Sequence, residues 1–246
     1  KCCILPFRSK RLLAQYAQIW TSEGSPLISV GHQQAKALPD TLKALGLPDV
    51  IVRFGVMYGA PYFGEVLSEM MAQNLDRLVI LPLYPQYSET TTGTFFHKLF
   101  NLMSPCRGGC AFRCKAPAAC QRKRLMDPSQ LHIRRSYATD TDYIQTLCTS
   151  VRQNMTAYGF PEQLIVSFHG LPQRCIARGD PYEAECQATF EALSKALIDL
   201  NIPIVLAYQS RFGYDNWLGP STQAVLEGAG RLGVKQVAII CPGFPA

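Results

Sequence analysis

His169 stands at the end of the apolar run Leu164–Ile165–Val166–Ser167–Phe168, and Gly170 and Pro172 stop that run directly after it. A neutral imidazole near physiological pH can ligate a metal or accept a proton, so a histidine delivered to a strand end is the first candidate for chemistry. Two further run ends carry recognition groups. Arg77 to Leu83 passes into Tyr84, Pro85, Gln86, Tyr87 and Ser88, then into Glu89–Thr90–Thr91–Thr92–Gly93–Thr94. The prolines fix φ and remove ladder donors, which stiffens a loop bearing two tyrosines, while the Ser/Thr/Gly run can feed a helix N-terminus. Such a loop suits a planar, partly anionic ligand, and it equally suits a capped turn whose tyrosines only pack. Ile204 to Tyr208 ends in Gln209, Ser210 and Arg211, with Asn216, Trp217 and Gly219 close behind. After His169, Arg178–Gly179–Asp180–Pro181–Tyr182 sets Asp180 to cap the next helix, a role sufficient to explain it.

These side chains need a scaffold that brings strand ends together. Val50–Met57, Arg77–Leu83, Leu131–Arg135, Leu164–Phe168, Ile204–Tyr208 and Gln236–Ile240 read as short strands. Phe63–Gln73, Phe95–Met103, Asp142–Tyr158, Tyr182–Leu200 and Ser221–Arg231 between them read as helices. Strand and helix in alternation predict an α/β protein with parallel sheets flanked by helices, and in such sheets ligands bind beyond the carboxyl ends of the strands. The length fits two such halves, residues 1–136 and 137–246, meeting near Tyr137–Asp142.

Composition narrows the class. With 48% hydrophobic and 17% charged residues, the chain can bury a core. No stretch approaches the roughly 20 apolar residues of a spanning helix, which predicts a cytoplasmic protein and leaves peripheral membrane contact open. The first residues lack the apolar core of a signal peptide. The chain starts without Met and stops just after a strand-like run, so both ends read as cut from something longer. The net charge of +6 is local: residues 104–127 hold six basic side chains against one acid. Phe112 is the single aromatic there, so base stacking lacks its platform and nucleic acid is not an expected partner. The same segment holds Cys106, Cys110, Cys114 and Cys120, four of ten cysteines. Their spacing is neither that of a zinc ribbon nor that of a bacterial ferredoxin. Four thiolates in a basic loop can nevertheless satisfy Zn²⁺ or an iron–sulfur cluster, the alternative being a reduced, unligated loop.

The strings LPLYPQYS-x-TTTG, SFHGLP-x-R-x4-GDPY and YQSRFG-x3-WLGP, with the closing CPGF, resemble ferrochelatase, the family that inserts Fe²⁺ into protoporphyrin IX. Leu12 to Ala37, with Trp20, Gly24–Ser25–Pro26–Leu27 and His32–Gln33–Gln34, is similar to the family's porphyrin-lip helix and following turn. The resemblance covers nearly the whole chain except Pro105 to about Gln130. It implies two Rossmann-like halves, each with a four-stranded parallel sheet, and a cleft between them that grips and distorts the porphyrin. It implies His169 as metal ligand or acceptor of pyrrole N–H protons. It further implies Tyr58, Tyr84, Tyr87 and Trp217 as aromatic wall, with Ser88 and Arg211 as polar contacts to the substrate. Two departures carry expectations of their own. The family's acidic partner of the histidine follows the CPGF strand, beyond Ala246, and its first strand precedes Lys1; the chain as written is therefore expected to be poorly active. The cysteine insertion is similar to that of a bacterial group with four internal cysteines, which implies a [2Fe–2S] cluster on Cys106, Cys110, Cys114 and Cys120. Competing readings are a cobalt chelatase acting on a precorrin-type ring and a non-catalytic porphyrin or haem carrier with a redox-sensing cysteine loop. Nucleotide binding is not expected, because no G-x-G-x-x-G follows a strand.

Overall fold

The computed structural model describes residues 16–73, 75–103, 130–211, 213 and 215–244. The described residues up to Leu75 form one compact unit, and those from Asp76 onward form a second.

In the first unit, Tyr16–Ala17 are helical, and a turn then leads to α1, Pro26–Ala44. Ser25 precedes α1 in an extended conformation and Pro26 opens it, where a missing N–H costs nothing and φ is already helical. Gly31 is the buried residue of this helix because the Phe54 ring lies against it: a Cβ there would stand 2.3 Å from Phe54 Cζ. After α2, Phe63–Met71, which buries Phe63, Gly64 and Leu67, the chain crosses to the second unit. The strand expected over Val50–Met57 does not form. Val56 alone makes a bridge, to Tyr62, since this stretch meets no partner strand among the described residues and its backbone turns back on itself through Val56 N–H to Pro61 O.

The second unit holds two parallel sheets. β1, Leu78–Ile80, pairs with β2, Leu131–Ile133, in register Val79 to His132. A π-helical turn, Glu89–Gly93, and α3, Thr94–Met103, follow β1. The other sheet runs in the order β4-β3-β5, built from β3, Gln163–His169, β4, Ile204–Gln209, and β5, Val237–Ile240. Its helices are α4, Thr141–Tyr158, a short α5, Gln173–Ala177, α6, Tyr182–Ala196, and α7, Thr222–Arg231. Parallel strands flanked by helices match the α/β expectation, although the described sheets have two and three strands rather than four.

The core explains why β3 is the axis. α4 buries Ile144, Cys148, Val151 and Met155, and α6 buries Tyr182, Cys186, Thr189 and Leu193, both at helical spacing that puts one stripe inward. These stripes join Leu164, Val166, Phe168 and Tyr208 in one cluster. Each such apolar side chain contributes about 2 kcal/mol by leaving water. The alternate face of β3 is also buried, at Ile165 and Ser167, with Ser167 Oγ 2.7 Å from Thr222 Oγ1 at the start of α7. A strand buried on both faces reads as a continuous apolar run, which is why its sequence was unambiguous.

Candidate active site

His169 is the last residue of the central strand, and its side chain reaches solvent. Its strand partner is Gln209, the last residue of β4. Burial of part of the ring lowers the imidazole pKa below its ordinary value of 6.5, so the ring is neutral at pH 7 and has a lone pair to offer. Beside it stands Phe244, edge-on, with ring centroids 6.2 Å apart and planes at 76°. Phe244 arrives on the turn after β5, closed by its own N–H to Cys241 O at 3.1 Å. Across the sheet end, Gln209 Nε2 donates to Cys241 Sγ at 3.7 Å; burial pushes that thiol's pKa up and keeps it protonated.

The residue after the histidine has to be glycine. Gly170 N–H donates to Gln209 O at 2.7 Å, and a Cβ would stand 2.7 Å from that oxygen and 3.1 Å from Trp217 Cε3. Trp217 is therefore packed under the strand end that carries His169, held by the Pro172–Trp217 bridge and by Leu218 N–H to Leu171 O. It is 9% exposed, a plate beneath the site rather than an open wall.

The tyrosine loop after β1 is rigid for reasons visible residue by residue. Ser88 is 1% exposed and donates to Asp180 Oδ2 at 2.8 Å, and the same oxygen accepts from Glu89 N–H at 3.0 Å. Asp180 Oδ1 accepts from Tyr182 N–H, the first N–H of α6, at 3.0 Å, from one residue outside the expected cap position, which Pro181 holds. Tyr87 N–H donates to Glu185 Oε2, which also accepts from Ser136 Oγ at 2.6 Å. The Tyr87 hydroxyl donates to Glu89 Oε1 at 2.9 Å, and the Arg135 guanidinium lies 3.8 Å from its ring centroid. Tyr87 and Ser88 thus have their polar atoms engaged within the fold, whereas Tyr84 is 42% exposed. Arg211 is exposed just past β4. Tyr58, 75% exposed, belongs to the first unit. Cys106, Cys110, Cys114 and Cys120 lie outside the described residues; Cys148, Cys175, Cys186 and Cys241 are free thiols.

Beneath the loop runs a partly buried polar chain that sequence reasoning missed. Gln86, 2% exposed, donates through Nε2 to Thr189 Oγ1 at 3.0 Å and to the Tyr143 hydroxyl at 3.4 Å. Tyr143 in turn donates to Pro242 O at 2.5 Å. Gln86 and Pro242 lie inside strings already singled out, LPLYPQYS and CPGF, but Tyr143 sits in a helix whose sequence carries no chemical signature.

A family model for ferrochelatase matches residues 1–246. The chain belongs to the ferrochelatase family. It is 37% identical over 243 residues to the ferrochelatase of Hamiltonella defensa subsp. Acyrthosiphon pisum, covering 99% of this chain and 69% of that protein. It is 39% identical over 243 residues to that of Sodalis glossinidius, at 99% and 65% coverage, and 37% identical to that of Escherichia coli strain SE11, at 99% and 68%. The chain therefore spans about two thirds of the length of the curated relatives it matches. Ferrochelatases are metal chelatases, lyases that insert iron into porphyrin for haem synthesis. At the end of β3, His169 presents an imidazole whose pKa burial lowers, a group able to act as base or ligand.

Proposed function

We propose that this chain carries the iron-inserting centre of a ferrochelatase acting on protoporphyrin IX, with His169 receiving the pyrrole N–H protons or the incoming Fe²⁺. The observation that carries the reading is the position of His169: the one solvent-reaching end of a strand otherwise buried on both faces, with a ring held neutral by partial desolvation.

Metallation exchanges two N–H protons of the macrocycle for one Fe²⁺, so two protons must leave while iron sheds water. A neutral imidazole accepts a proton and passes it to solvent, and at pH 7 it returns to the neutral form because its pKa lies below that pH. The ring must bend for its nitrogen lone pairs to face the metal, and a stiff site stabilises that bent geometry better than the planar substrate. In this reading Tyr58 and Tyr84 supply aromatic surface, Trp217 backs the His169 strand end from beneath, Arg211 pairs with the substrate's carboxylates, and Tyr87 and Ser88 serve as the rigid floor from which Tyr84 projects. Support for the last point is the engagement of their polar atoms by Glu89 and Asp180. The division into halves at residues 136 and 137 belongs to the same reading, since one sheet is drawn from each side of it.

We propose a cytoplasmic location, which leaves peripheral membrane contact open. Among the described residues no helix is long and apolar enough to cross a membrane. We also propose that Cys106, Cys110, Cys114 and Cys120 hold a [2Fe–2S] cluster with a structural or sensing role, and no step of insertion is routed through it. Iron and sulfide in equal amounts after anaerobic purification is the expected result; zinc without sulfide overturns it. The substrate assignment is tested by assaying Fe²⁺ insertion into protoporphyrin IX beside coproporphyrin and cobalt insertion into a precorrin-type ring. Turnover confined to cobalt and the precorrin-type ring would replace the reading with the cobalt chelatase one.

A further inference from the structure

The partly buried chain from Gln86 through Tyr143 to Pro242 has a geometry that the general chemistry of insertion does not call for. It begins in the tyrosine loop after β1, crosses α4, and ends on the turn after β5 that carries Phe244 to His169. Two separate sheets contribute its ends, so the fold has used side-chain hydrogen bonds where no backbone ladder joins them. We propose that Tyr143 is a positioning residue for His169: its hydroxyl clamps Pro242 O, fixes the Cys241–Phe244 turn, and so sets the Phe244 edge that orients the imidazole.

Each link has a physical reason. Pro242 has no N–H, so its turn is held through carbonyls, and Pro242 O takes the shortest contact of the chain, 2.5 Å from the Tyr143 hydroxyl. That hydroxyl is a dependable donor because burial raises the phenol pKa far above neutrality. The Tyr143 ring is itself immobilised, edge-on to Tyr137 at 5.4 Å and 87°. Gln86 Nε2 supplies the proton that the Tyr143 oxygen accepts, leaving the Tyr143 proton for Pro242. Gln86 Oε1 is buried without a hydrogen-bond partner and faces the same turn; a Cβ on Gly243 would stand 3.7 Å from it. The turn is thus gripped at Pro242 and left small at Gly243, and Phe244 follows from both.

The inference rests on His169 being the reacting group, and its test separates the two. Tyr143→Phe keeps the ring and removes only the hydroxyl. In the protein carried to the length of its relatives, kcat for iron insertion is expected to fall about five- to tenfold with KM for porphyrin unchanged, as befits a group acting on orientation rather than binding. NMR of ring-labelled histidine supplies a second readout. The His169 resonance, shifted by the edge-on Phe244 ring, is expected to move toward its free-imidazole position in Tyr143→Phe. On a Phe244→Leu background, Tyr143→Phe should have no further effect on kcat. Tyr137→Phe, which spares the chain, should leave both readouts unchanged. An unmoved His169 resonance, or a fall in kcat that tracks a lowered unfolding midpoint and persists on the Phe244→Leu background, would show a merely structural role and overturn the proposal. Should His169→Ala retain full insertion, the assignment of His169 fails instead, and the resonance shift still reports whether Tyr143 orients that ring.

Discussion

The Ser88 hydroxyl donates to Asp180 Oδ2 at 2.8 Å, joining the loop after β1 to the start of α6 across 92 residues of sequence. Both groups are buried, so the contact is made out of water and has no solvent substitute. It ties the tyrosine loop to the same element that packs against β3, and β3 carries His169. Asp180 thus joins Glu185, which accepts from Tyr87 N–H, in fixing the loop of the proposed site.

Replacing the Asp180 carboxylate tests its share. Asp180→Ala removes the acceptor of the Ser88 hydroxyl, which keeps Thr90 Oγ1 at 2.8 Å, and of the Glu89 and Tyr182 N–H groups, and it should cost about 2 kcal/mol of unfolding free energy in urea titration. Insertion activity should fall with it, because Tyr84 projects from the loosened loop. Ser88→Ala leaves Asp180 two of its three donors and should cost less, about 1 kcal/mol. Equal stability of Asp180→Ala and the parent would show that the loop is held by other means.

Gly170 offers a test of packing next to the histidine. A methyl group there meets Gln209 O at 2.7 Å and Trp217 Cε3 at 3.1 Å, and the first of these is backbone of β4 and cannot swing away. Gly170→Ala should therefore shift the strand end, cost about 2 kcal/mol of stability and depress insertion more than porphyrin binding. On a Trp20→Phe background the tryptophan fluorescence reports Trp217 alone and follows the displacement; an unchanged spectrum together with unchanged activity would contradict the tight contact.

The pH dependence follows from the imidazole. Partial burial holds the folded pKa of His169 below 6.5, so the neutral form persists into mildly acidic solution. The acidic limb of the insertion rate should then have its midpoint below pH 6.5, with activity lost as pH falls through it. The sign for stability is the same: the unfolded chain binds the proton first, so the folded state loses stability as pH drops from 6.5 toward the folded pKa. His169→Gln should remove that one-proton contribution to the pH dependence of the unfolding free energy. A midpoint above 6.5 would mean that a neighbouring charge, rather than desolvation, governs the ring.

The sequence made β3 and His169 legible because a two-faced buried strand shows as an unbroken apolar run and glycine and proline mark its end. Helices α4 and α6 were equally legible, since a buried stripe such as Ile144, Cys148, Val151 and Met155 repeats at helical spacing. Val50–Met57 misled because apolar composition says nothing about whether a partner strand is present. The tyrosine loop is legible as stiff, but its sequence leaves ligand contact and packing both open; tertiary contacts, such as those of Tyr87 and Ser88 to Glu89 and Asp180, distinguish the two. Tyr143 had no signal at all. Its role depends on meeting Gln86 and Pro242, 57 residues before it and 99 after it.

The central claim is that His169 performs the insertion chemistry, and His169→Ala tests it most directly when Fe²⁺ insertion and porphyrin affinity are measured side by side in the protein carried to the length of its relatives. Loss of the base and ligand should lower the insertion rate at least about a hundredfold, with porphyrin affinity held within a few-fold because the proposed aromatic surface is untouched. Insertion at the parent rate, or no insertion by the parent despite tight porphyrin binding, would contradict the account, the second result favouring a carrier over an enzyme.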